Sequence, residues 1–157
     1  DAIIIELSAG IGGYTGQVLR TMAVGDAPVP AECRALHDVA EAAYLAITER
    51  IRPGTTAGEL LAAAGVVEEA GYTVCDDVVH GYGGGYLPPV LRSPGTSHGA
   101  PPAITLRPGM MLVVQPNVIT LDGSLGVQTG ELWLVTEDGG VSLHGVAPGL
   151  LRAGEPA

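Results

Sequence analysis

The sequence predicts an α+β domain in which two amphipathic helices pack on a mostly antiparallel sheet. Three features, in chain order, carry this prediction. A pair of strand-like runs opens the chain, a helical stretch follows, and short strand-like runs separated by Gly and Pro turns fill the remainder.

Residues 2–7 form an apolar run, Ala-Ile-Ile-Ile-Glu-Leu, that reads as a buried strand. Residues 8–13 are turn-rich, and residues 14–24 alternate well enough to be the returning strand of a hairpin. Pro28 and Pro30 then stop the sheet. Over residues 31–52, Leu36, Val39, Ala40, Ala43, Tyr44, Ile47 and Ile51 recur at helical spacing. This predicts a helix ended by Pro53-Gly54, with His37 on its polar side. Thr56 and Glu59 form a capping box opening a second helix to about Ala70, with Gly71 as its C-terminal stop. Residues 73–79 read as a strand running into His80-Gly81-Tyr82-Gly83-Gly84-Gly85. The Pro- and Gly-rich stretch 86–107 reads as a loop. Strands are expected over 110–115, 127–136 and 141–144, separated by turns at Asp122-Gly123 and Asp138-Gly139-Gly140.

Composition bounds the function. The chain has 157 residues, 46% hydrophobic and 15% charged, which is enough for one domain with its own core. The net charge is −10 and the seven basic residues, all Arg, are scattered, so a nucleic-acid partner is excluded. Cys33 and Cys75 fit no metal or redox spacing and are expected to be free thiols in a reducing, cytoplasmic setting. No apolar run is long enough to span a membrane. The chain opens at Asp1 directly into a strand and reads as a piece of something longer. The triple glycine at 83–85 is not a phosphate loop, because no Lys-Ser/Thr follows it. His98 and His144 are expected at the surface.

Five blocks carry a family resemblance. Ile5-Glu6-Leu7 with Gly13-Tyr14-Thr15-Gly16-Gln17 and Arg20-Thr21 resembles a paired "x-D-x-G" and "G-Y-x-x-D-x-x-R-T" hairpin. Arg52-Pro-Gly-Thr-Thr-Ala-Gly-Glu-Leu is similar to "R-P-G-x-T-x-x-E-L". His80-Gly-Tyr-Gly resembles "G-H-G-x-G". The stretch from Leu106 to Asn117 resembles "L-x-x-G-M-x-x-x-x-E-P", and that from Gly126 to Gly139 resembles "G-x-x-x-E-x-x-x-x-V-T-x-D-G". In this order the blocks resemble the creatinase, aminopeptidase P and methionine aminopeptidase family, whose "pita-bread" domain is two similar halves around a shared sheet. The resemblance implies that residues 1–147 are the C-terminal half of such a domain, that 148–157 are a tail, and that the first half lies outside the chain.

Metal-dependent members of that family hold two divalent ions with two Asp, one His and two Glu. Carried over position by position, these ligands fall on Glu6, Gln17, His80, Gln115 and Gly130. Glu131 becomes the last ligand instead if the strand carries a bulge. Neutral amides and a glycine cannot compensate two dications, so the resemblance implies a site without metal or other cofactor. A second family histidine is absent, and Tyr86 stands in its place.

Each residue also has a plainer reading. Glu6 can be a strand-end acid facing water. His80 can be a satisfied core histidine. Gln17, Gln115 and Gln128 can be ordinary sheet residues rather than substrate-binding amides. Three functions follow from the resemblance. One is a creatinase-like, metal-independent hydrolase of a C–N bond in a small amide, amidine or modified amino acid, with His80, Glu6 and Glu131 at the chemistry and Gln17, Gln115, Tyr86 and Gln128 holding substrate. Another is a non-catalytic peptide- or protein-binding scaffold. The third is an Xaa-Pro-type metallopeptidase with one ion on Glu6, His80 and Glu131. A pocket where the polar residues converge would favour the first, and a pocket filled by Tyr82, Tyr86 and Leu87 the second. The expected partners are a small molecule or short peptide and, by resemblance, a second copy of the chain or the missing half.

Overall fold

The computed structural model describes residues 1–93, 96 and 99–154. The chain begins with a hairpin, β1 (Ala2–Ile11) and β2 (Tyr14–Ala23), followed by α1 (Ala31–Thr48), α2 (Ala57–Ala63) and α3 (Val66–Glu69). The remaining strands are β3 (Thr73–Val74), β4 (Asp77–Tyr82), β5 (Tyr86–Arg92), β6 (Met111–Val114), β7 (Asn117–Ile119), β8 (Gly126–Gln128), β9 (Gly130–Val135), β10 (Gly140–Ser142) and β11 (Leu151–Arg152). The main sheet runs β1-β2-β9-β6-β4-β5, with β10 on β9 and β11 on β2; β3, β7 and β8 form a smaller sheet. Every pairing is antiparallel except that of β11 with β2. The α+β expectation therefore holds.

The helices form as the sequence dictates, with two differences. α1 buries Cys33, Leu36, Ala40, Ala43 and Ile47, a stripe at helical spacing. It stops at Thr48 rather than Arg52 because Pro53 disfavours helical geometry at the residue before it, and residues 50 and 51 close tighter i→i+3 bonds instead. The second predicted helix opens with its capping box intact: Glu59 N–H donates to Thr56 Oγ1 at 3.2 Å and Thr56 N–H to Glu59 Oε2 at 2.8 Å. It then divides at Gly65 into α2 and α3. The helices and one face of the main sheet enclose the larger core, built around Leu36, Ile47, Leu60, Val79, Leu112 and Val114.

His37 departs from expectation. It is buried on α1, not on its polar side. Burial lowers the imidazole pKa, against the opposing pull of Glu41 and Asp38.

Three strand readings also change. β1 is not buried: among the described residues it is an edge strand paired with β2 alone, leaving Ile3, Ile4, Leu7 and Ile11 exposed. Residues 86–92 form strand β5 despite Pro88 and Pro89, which an edge position tolerates because no outer neighbour needs their missing N–H groups. Within the stretch read as a tail, Leu151 and Arg152 pair with Met22 and Ala23 of β2, and Arg152 Nη1 donates to the Gly25 carbonyl at 2.7 Å. His98 lies outside the described residues. His144 is half-buried rather than superficial, and its Nε2 is buried without a hydrogen-bond partner among the described residues. Both cysteines are free thiols, as expected. Among the described residues, no helix is long and apolar enough to cross a membrane.

The main sheet curls. Thr15 N–H and Oγ1 donate to the Gly83 carbonyl at 2.7 and 3.0 Å, and Tyr82 OH donates to Ser8 Oγ at 3.0 Å. β9 and β6 separate the strands so linked, so the β1–β2 end bends over to meet the β4–β5 turn. The face opposite the helices is therefore concave. It carries the second, smaller core of Leu19, Tyr82, Val113 and Leu132 with Met111.

Candidate functional site on the concave face

Strand alternation decides which predicted residues share this face. Cross-strand pairing joins His80 to Val113 and Val113 to Leu132; the same register carried one residue further sets Gln17 beside Leu132. A second row joins Glu6 to Leu19 and Leu19 to Gly130, which lies against Gln115. Glu6, Gln17, His80 and Gln115 thus lie on one face, as the resemblance implies. They do not form one cluster. Three strand spacings, roughly 14 Å along the sheet, separate Gln17 from His80, and Leu132 and Val113 fill the interval.

One polar group sits at the β1–β2 end. Gln17 is buried and donates from Nε2 to Glu6 Oε1 at 2.5 Å, while Glu6 itself is exposed. The amide oxygen of Gln17 is buried and has no hydrogen-bond partner among the described residues. The other group gathers on β4 and β5. His80 is buried, its ring stacked on Tyr86 with centroids 4.0 Å apart, and Tyr82 meets it edge-on at 5.5 Å. His80 Nδ1 lies 3.0 Å from the Gly81 carbonyl. A carbonyl only accepts, so Nδ1 is the donor in this contact.

Asp77 completes this second group and was not singled out from the sequence. It is buried, accepts from Tyr86 OH at 2.5 Å, and accepts from Gln115 Nε2 at 3.3 Å. Burial raises its pKa, opposed by the Tyr86 hydrogen bond and the nearby His80. A carboxylate directly before the apolar pair Val78-Val79 was the available signal. Burial and the Asp77 hydrogen bond push the Tyr86 phenol up in turn.

Tyr86→Phe tests this arrangement. Removing the hydroxyl should move the Asp77 pKa further up, read from the carboxyl carbon by NMR. An acid whose folded pKa is raised weakens the fold as pH rises from its unfolded value through its folded one. The variant should therefore lose more stability at neutral pH than in acid. An unmoved Asp77 titration would show that the hydroxyl does not hold the carboxylate.

Two predicted residues join neither group. Glu131 follows Gly130 but points to the helix side. It accepts from Arg20 Nη2 at 2.7 Å, Tyr44 OH at 2.9 Å and Ser142 Oγ at 2.6 Å. Burial would push its carboxyl up, but the bonds from Ser142, Arg20 and Tyr44 together hold it below the usual range. No bulge turns it inward, so Glu6, His80 and Glu131 do not meet. The reason is the two-residue period of the strand: Leu132, not Glu131, shares the face of Val113. Gln128 lies in the smaller sheet opposite Asn117, its backbone bonded to Thr21 Oγ1, with no hydrogen bond to His80, Gln17 or Gln115.

A dinuclear metal centre does not fit these residues. Glu6 is the one carboxylate at the carried-over positions, and Gln17 and Gln115 offer neutral amides. A Cβ at position 130 would stand 2.2 Å from the Val114 carbonyl oxygen and 2.8 Å from Gln115 Cα, so β6 and β9 pass too close there for any ligand side chain. Two smaller cavities border the concave face, one of about 240 Å³ beside Tyr82 and Met111 and one of about 320 Å³ beside Met111 and Leu132. A cavity of about 710 Å³ runs between α2–α3 and β5, away from these residues, lined among others by Leu61, Glu68, Val90 and Arg92.

Comparison with known proteins places this geometry. The chain is 30% identical to a probable dipeptidase PepE of Mycobacterium tuberculosis over 146 residues, which are 92% of this chain and 37% of that protein. It is 34% identical to an agropine synthesis cyclase of Rhizobium rhizogenes over 128 residues, 81% of this chain and 31% of that one. The chain thus spans about a third of these relatives. In fold, it superposes on a recombinant prolidase from Thermococcus sibiricus with a TM-score of 0.83 at 24% identity, covering 97% of this chain and 40% of that structure. The curled sheet with its helices is the pita-bread arrangement. Residues 1–137 match the sequence profile of metallopeptidase family M24, and the chain belongs to that family.

Proposed function

We propose that the protein is a metal-independent M24 hydrolase that cleaves a C–N bond in a small amide, amidine or modified amino acid. One observation carries the reading: where the family sets its anionic ligands, this chain presents acceptors and amides that suit N–H donors instead of cations. Glu6 offers a carboxylate, Gln17 an amide oxygen with no partner among the described residues, and His80 its second ring nitrogen, Nε2. Such a set recognises an ammonium, amidinium or amide N–H group. Glu6 balances the substrate's charge, His80 accepts or orients a hydrogen bond, and the general base comes from outside this half of the domain. Membership alone does not fix the reaction. The curated relatives named above comprise a dipeptidase and a cyclase. The working assembly on this reading is a homodimer or a pairing with the other half.

A specific observation favours a second reading, a non-catalytic binding scaffold. Leu19, Val113, Leu132 and Tyr82 fill the interval between the two polar groups, and Tyr82 is tied to Ser8.

The test pairs elemental analysis with turnover. The protein is purified without added metal and again after incubation with Mn, Co and Zn, then assayed on creatine-like compounds, amidines and Xaa-Pro dipeptides. C–N cleavage that survives a chelator and is lost in His80→Ala supports the hydrolase. Binding of these compounds without turnover supports the scaffold. Chelator-sensitive cleavage of Xaa-Pro dipeptides, with metal that is lost on Glu6→Ala or His80→Ala, would overturn both.

A further inference from the structure

On the helix side of the sheet, α1 carries a second set of donor atoms. His37, Asp38 and Glu41 each offer one, and these atoms all lie within 4.8 Å of one another. The spacing explains the convergence: His37 and Glu41 are four residues apart, one above the other on the helix, and Asp38 flanks them. The imidazole is the unusual member. His37 is only 2% exposed, yet among the described residues its Nε2 has no hydrogen-bond partner, and its Nδ1 stands 3.9 Å from Glu41 Oε2, beyond hydrogen-bonding reach. Nδ1 is the nitrogen that faces Glu41, and a buried ring with neither nitrogen hydrogen-bonded among the described residues stands open to a further partner.

The neighbouring cation does not supply it. Arg20 is committed to Glu131 and to the carbonyls of Leu19, Gly130, Val146 and Ala147. Nor is the approach blocked: Gly149, the residue beside Glu41 Oε1, has no side chain, and even a Cβ there would lie 3.9 Å from that oxygen. Asp38 is exposed and Glu41 partly so, leaving the outer side open to water.

We propose that His37, Asp38 and Glu41 bind one divalent transition-metal ion of the zinc type. One imidazole nitrogen and two carboxylate oxygens are a normal donor set for such an ion, and water completes the coordination. This site is independent of the concave face, so it stands whether or not the hydrolase reading does.

The test titrates the chelator-treated protein with ZnCl₂ by calorimetry and with CoCl₂ by visible absorption. The expected result is saturation near one equivalent. Affinity should fall roughly tenfold or more in each of Asp38→Asn and Glu41→Gln, and remain unchanged in His80→Ala. The two acids are on the open side of the helix, so these variants report on binding even if His37→Gln fails to fold. The His37 ring resonances should shift on adding zinc. Absence of binding, or binding indifferent to both acid variants, overturns the proposal. Binding that is lost in His80→Ala instead overturns it and also removes the metal-free reading of the concave face.

Discussion

Arg20→Met should destabilise the protein by about 3–5 kcal/mol in urea unfolding at neutral pH. The Arg20 and Glu131 side chains are 5% and 10% exposed, and removing the cation strands a carboxylate away from water. The remaining bonds from Tyr44 and Ser142 do not neutralise it. The pH dependence gives the sign. In the wild type the Glu131 pKa is lowered, so its contribution is present above the unfolded value and is lost as pH falls through the folded one. Without Arg20 the folded pKa rises, so the deficit of the variant should be largest at neutral pH and shrink in acid. A pH-independent deficit would point to lost packing instead. Arg20 also holds the carbonyls of Val146 and Ala147, so the variant should release the last residues, β11 included, to limited proteolysis.

Gly130→Ala should cost about 3 kcal/mol or more, at the top of the range for overpacking. The three atoms that the new methyl would meet within 3.1 Å are all backbone, from Val114 and Gln115, and backbone in a paired strand cannot rotate away. β6 and β9 would have to part, and Arg20 Nη1 would lose its 2.8 Å bond to the Gly130 carbonyl. Gly84→Ala is the matched control, since nothing lies within 4 Å of a Cβ there. It should change stability by no more than about 0.5 kcal/mol. Equal effects from the two substitutions would mean that the strands are not closely set at position 130.

Local chemistry made much of the fold legible. The capping box at Thr56 and Glu59 and the apolar stripe of α1 are short-range patterns that needed no tertiary information. What stayed illegible depended on neighbours distant in sequence. An Ile-Ile-Ile run is the same string at a covered centre and at a bare edge, so the exposure of β1 could not be read. Two prolines argue against a strand unless it is an edge, and edge position is a property of the sheet order. At the site, the sequence led to His80, Gln17, Gln115 and Glu6 through motif positions. It could not show that Gly130 is crowded shut, which would have told Glu131 to face the helices. Asp77 and His37 were missed because their meaning lies in what surrounds them: a tyrosine nine residues on, and a buried ring nitrogen with no hydrogen-bond partner among the described residues.

The bare outer side of β1 has a kinetic signature. β1 is ten residues long and, among the described residues, pairs with β2 alone, whereas β6 sits between β4 and β9. In an antiparallel edge strand alternate amides point outward. Under deuterium labelling, every second amide of β1 should exchange quickly while its neighbours lag, and labelling should slow steadily toward the middle of the sheet. Any partner that completes this edge, whether a copy of the chain or another half-domain, would erase the alternation along β1 without touching β6. The pattern of fast and slow amides therefore reports occupancy of that edge before the occupant is known.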